Sequence, residues 1–125
     1  MAKIKLGNRP KNFKKVISVD MLDGTKGSFE VTYIYRTKVE FGAFLDKMYQ
    51  NTDVKPDSDK GANELVMEMT RDSNAEYIMQ VIEGWNLDHE FNLENVQQLC
   101  SELPGAANAI MSTYRAAIIE GRLAN

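Results

Sequence analysis

A single cysteine, a single histidine and three prolines in 125 residues remove several kinds of chemistry at the outset. Cys100 has no intrachain partner, so no disulfide framework exists and nothing argues for an oxidising compartment. His89 stands alone between Asp88 and Glu90, which leaves a histidine-based triad or a multi-histidine metal centre without its other members. The phosphate-binding patterns G-x-x-x-x-G-K-[ST] and G-x-G-x-x-G are missing, as are C-x-x-C, H-E-x-x-H and G-x-S-x-G. Asp53, Asp57 and Asp59 lack the central glycine and terminal glutamate of a calcium loop, and Pro56 interrupts them. No apolar stretch approaches the ~18 residues of a membrane span, and none follows the early lysines as a secretion signal would. These gaps point away from an enzyme, a cofactor, a metal or a membrane, and toward a protein of the cytoplasm.

Charge is unevenly spread. The net value is -3, yet Lys3, Lys5, Arg9, Lys11, Lys14 and Lys15 all precede the first acidic residue, Asp20. A basic leader over 1–15 suits either a solvated arm or a nucleic-acid contact. Phe13 is its only aromatic residue, so the stacking platform that single-stranded nucleic acid favours is lacking and the solvated arm is the better reading. With 43% hydrophobic residues, the chain is long enough for one core, and a single domain over 1–125 is expected.

Periodicity fills in the elements. Val16 to Leu22 and Ser28 to Arg36, joined by Asp23-Gly24-Thr25-Lys26-Gly27, read as a hairpin over 16–36. Phe29, Val31, Tyr33 and Tyr35 share one face of its second strand, with Glu30, Thr32 and Arg36 on the other. Ile4 and Leu6 offer a third short strand. Thr37-Lys38-Val39-Glu40 is a capping box opening a helix with Phe41, Phe44, Leu45 and Met48 on its buried stripe. Residues 51–61 form the longest polar interruption and read as a loop. Ala62, Leu65, Val66 and Met69 then predict a helical stripe, and Ile78, Val81, Ile82 and Trp85 another. A second capping box at Ser73-Asn74-Ala75-Glu76 argues for a break between them, and the absence of Gly or Pro argues for one continuous rod. The fold class is α+β: an N-terminal hairpin packed on about five helices, with 37–125 helical.

The clearest pattern lies from Gly84 onward. Val96, Leu99, Cys100 and Leu103 form one stripe, and Ala107, Ile110, Met111, Tyr114 and Ile118 form the next. Asn92 is placed to cap the first helix, Pro104 to end it and start the second, and Gly121 to stop that one, with Arg115 and Arg122 near its negative end. Met67 lies roughly opposite its own stripe, and Ile119 lies off the stripe of the last helix. Both are candidate protein-contact residues, because flexible apolar side chains suit varied hydrophobic partners. Filling a second core layer or a homo-oligomer contact is the alternative use of the same residues.

The succession Gly84-Trp85-Asn86-Leu87, Phe91, Glu94-Asn95-Val96, Leu99, Leu103-Pro104-Gly105-Ala106, Ile110, Tyr114, Gly121-Arg122 and Asn125 resembles the tail assembly chaperones of long-tailed bacteriophages and prophages. The resemblance covers the last third of the chain. It implies a non-enzymatic protein of the host cytoplasm that binds the hydrophobic, helical tape-measure protein, helps recruit tail-tube subunits and is absent from the mature virion. Two other classes compete with this reading: a tail or head-tail structural component retained in the particle, and a small nucleic-acid-binding regulator using the basic leader.

Overall fold

The computed structural model describes residues 6–7, 9–49 and 61–121, and the elements follow in the order β1 (Asn12–Asp20), β2 (Lys26–Ile34), α1 (Lys38–Met48), α2 (Ala62–Val81), β3 (Ile82–Trp85), α3 (Leu93–Glu102) and α4 (Pro104–Glu120). The α+β class stands. Among the described residues there are four helices, one fewer than the sequence suggests, and a three-stranded antiparallel sheet in the order β1-β2-β3.

The hairpin is longer than its sequence pattern. β1 starts at Asn12, four residues before Val16, and pairs continuously from Asn12↔Ile34 to Asp20↔Lys26. Lysines conceal this extension: Lys14 points to solvent, while Phe13 turns inward and stacks on Tyr33 with ring centroids 5.1 Å apart. The leader is therefore docked from Arg9 onward. Arg9 holds the Glu40 carboxylate at 2.8 and 3.3 Å, and Tyr35 donates its backbone N–H to the Lys11 carbonyl at 3.1 Å. At the turn, Asp23 Oδ1 accepts from the Thr25 hydroxyl at 2.6 Å and its amide at 2.9 Å, which lowers the Asp23 pKa. Gly24 takes φ +87°, a left-handed conformation that side chains resist.

The third strand comes from an unexpected place. Leu6 lies exposed in a turn, and Ile4 lies outside the described residues. Ile82 to Trp85, read from sequence as the end of a helical stripe, leave α2 and pair with β2 instead, at Val31↔Trp85, Thr32↔Gly84 and Tyr33↔Ile82. Glu83 is left over in this register and forms a bulge. Asn86 prolongs the ladder by donating its backbone N–H to Glu30 O at 3.0 Å and accepting the Glu30 N–H on Oδ1 at 2.7 Å.

Helices cover one face of the sheet, and Val16, Glu30 and Thr32 lie on the other. α4 crosses β1: a Cβ added at Gly105 would sit 3.5 Å from Val19, and further along Tyr33 donates its hydroxyl to Ile110 O at 2.8 Å. Tyr114 donates to Ile34 O at the same distance. These tyrosines satisfy their hydroxyls inside the core, where burial raises both pKa values. Arg36 does not follow the strand alternation. Beyond the end of β2 its guanidinium turns to the helices, donating to Tyr114 Oη at 3.0 Å and to Gln80 O at 2.9 Å and lying 4.5 Å from the Phe44 ring centroid. One side chain thus ties β2 to α1, α2 and α4.

The caps act as read. Thr37 and Glu40 complete the reciprocal capping box, Asn92 Oδ1 accepts the Asn95 N–H at 2.8 Å, Pro104 opens α4, and Gly121 closes it at φ 70°. Ser73 does not cap, because α2 runs unbroken for 20 residues and Ser73 lies exposed on it. Leu103 leaves the α3 stripe where the chain turns out of the helix, and is 36% exposed. The last turn of α4 carries no basic residue: Arg115 lies before it, and Arg122 is outside the described residues. The polar loop expected over 51–61 is also outside them, apart from Gly61.

Candidate protein-contact surface

α2 is two surfaces on one rod. At about 100° per residue, Leu65, Val66 and Met69 centre roughly 170° away from Ala75, Ile78 and Val81. The second set is buried against the sheet and α4. The first set therefore cannot reach the same core, although the sequence shows both sets as apolar helical stripes. Val66 is 54% exposed, Met69 37%, and only Leu65 among them is half-buried. With Tyr49 from the end of α1, Val66 and Met69 line an open depression of about 360 Å³.

Met67 lies on the other side of the rod, in line with the core stripe but beyond the end of the core, and is 68% exposed. There it edges a groove of about 460 Å³ between α2 and the α3–α4 corner. Glu64, Glu68 and Arg71 line it from α2, and Cys100, Ser101, Pro104 and Asn108 from the corner. Arg71 Nη2 pairs with Asp72 at 2.9 Å, and Gln97 donates weakly to the same carboxylate at 3.4 Å. Burial pushes the Cys100 thiol up to about 11, so it stays protonated at neutral pH and acts as a small apolar wall.

Ile119 is exposed near the end of α4, beside the buried Ala117 and Ile118. It lies eleven residues beyond Asn108, about 16 Å along the helix axis, so the two sequence-chosen residues do not share one groove. The apolar residues that join Met67 on the first half of α2 are Val66 and Met69. Sequence periodicity places them on a helical stripe without marking them as contact residues, although a signal is present: the stripe changes face between Met69 and Ala75.

An exposed apolar helix surface is suited to covering another hydrophobic segment. Among the described residues, no helix is long and apolar enough to cross a membrane. Comparisons with curated proteins and with solved structures gave no match. The family model described as phage tail assembly chaperone matches residues 1–125, and the chain belongs to that family.

Proposed function

We propose that this chain, working as one domain in the host cytoplasm, keeps the hydrophobic helical tape-measure protein soluble, helps bring tail-tube subunits to it and is left out of the finished virion. The observation that carries this reading is the apolar first half of α2, where Val66, Met67 and Met69 stand exposed on two sides of one helix. A helical client could lay its apolar stripe along either side, and the methionines would adapt to varied client sequences. Ile119 offers a separate apolar contact at the far end of α4.

Co-expression with the tape-measure protein tests the reading. The client is expected to pass from the insoluble to the soluble fraction, and the paired substitution Val66→Glu and Met67→Glu to reverse this while the circular dichroism of the chaperone stays unchanged. A client that remains insoluble beside the wild-type chain would contradict the proposal. A protein blot of purified virions should lack the chain, and its presence in stoichiometric amount would favour a structural tail component instead.

A further inference from the structure

A second surface feature shares no lining residue with the two depressions beside the first half of α2. Trp85, Leu87, Leu99 and Leu103 wall a pocket of about 210 Å³, and Glu102 stands at its lining. That is smaller than the roughly 300–1,000 Å³ of typical small-molecule sites, and suits a side chain delivered by a peptide rather than a whole cofactor. The walls are set in advance. Trp85 donates Nε1–H to His89 O at 2.7 Å and meets the Phe91 ring edge-on at 5.2 Å. Asn95 fixes the same loop by donating to Glu90 O at 2.7 Å. A pocket already held open costs little further ordering when filled.

The segment that forms the pocket is acidic. Residues 83–103 contain five carboxylates, at Glu83, Asp88, Glu90, Glu94 and Glu102, and no lysine or arginine. Asp88 and Glu90 flank His89, Glu94 precedes Asn95, and Glu102 lines the pocket itself. All four are exposed, and among the described residues none of them pairs with a cation. An apolar hole in such a field attracts basic segments and repels acidic ones.

We propose that the Trp85 pocket docks a partner protein through a basic segment, taking one large apolar side chain while flanking lysines or arginines face Asp88, Glu90, Glu94 and Glu102. This site is independent of the tape-measure reading, which rests on α2.

Trp85 is the only tryptophan, so its emission reports on the pocket directly. The probe is a blocked pentapeptide with a central leucine between two pairs of lysines. Its titration should shift the Trp85 emission saturably, with a Kd of about 1 mM or below. Replacing the central leucine by alanine should weaken binding about tenfold or more, and exchanging the lysines for glutamates should abolish the shift. Raising salt from about 20 to about 200 mM should weaken it at least about fivefold, because exposed charges are screened. Leu103→Ser and Glu102→Gln alter the rim without touching the buried core, and each should weaken binding; Met67→Glu should leave it unchanged. Absence of any shift, equal binding of the two charge forms, or full affinity in both rim variants would overturn the proposal.

Discussion

The two halves of α2 have the same backbone and opposite surroundings. From Ala75 to Val81 the helix buries Ala75, Tyr77, Ile78 and Val81, and the Tyr77 ring meets Phe44 edge-on at 5.2 Å. There the Tyr77 hydroxyl pKa is pushed up to about 12 by burial. From Ala62 to Thr70 no side chain is fully buried, although that stretch has five apolar residues, the same number as 75–81. The first region spends its hydrophobic residues on folding, and the second leaves them available for another molecule. Packing and exposure therefore divide along one helix, because position relative to the core rather than composition decides which apolar residues are buried.

The largest contrast should come from truncating one aliphatic residue in each half. Ile78→Ala removes a fully buried side chain and should cost about 2–5 kcal/mol in urea unfolding, whereas Val66→Ala should change stability by no more than about 0.5 kcal/mol. Equal losses would mean that the first half is packed after all. An intermediate effect is expected where α2 is anchored: Arg36→Ala removes the donors to Gln80 O and Tyr114 Oη and should cost about 1–3 kcal/mol. Arg36→Lys should recover only part of that loss, since an ammonium cannot reproduce the planar fork. The smallest effect sharpens the boundary between the halves. As a mid-helix residue, Ser73 should yield a gain of up to about 0.5 kcal/mol on replacement by alanine, whereas a helix-capping serine would lose about 1 kcal/mol.

Local chemistry explains what could be read in advance. Thr37, Asn92, Pro104 and Gly121 act through partners within a few residues, and the inward face of β2 follows from simple alternation at Phe29, Val31 and Tyr33. β3 is hidden because its partners are about fifty residues away, and because Ile78, Val81, Ile82 and Trp85 fit a helical period as well as a helix end followed by a strand. The Ser73 motif leaves one helix or two open for a related reason: a capping box specifies a helix start only if the preceding turn is not already helical. Met67 was singled out by its phase. Val66 and Met69 were not, since a stripe shows that a face is apolar without showing which molecule covers it. The Trp85 pocket is not legible in the sequence because periodicity places both Trp85 and Leu103 on helical stripes, whereas Trp85 ends β3 and Leu103 is where α3 stops.

Hydrogen exchange on the chaperone, free and bound to the tape-measure protein, tests the division of α2 most directly. The account predicts that amides of 62–70 exchange readily in the free chain and slow about tenfold or more on binding, while those of 75–81 are protected in both states. A stable complex in which 62–70 exchange as fast as in the free chain would contradict it.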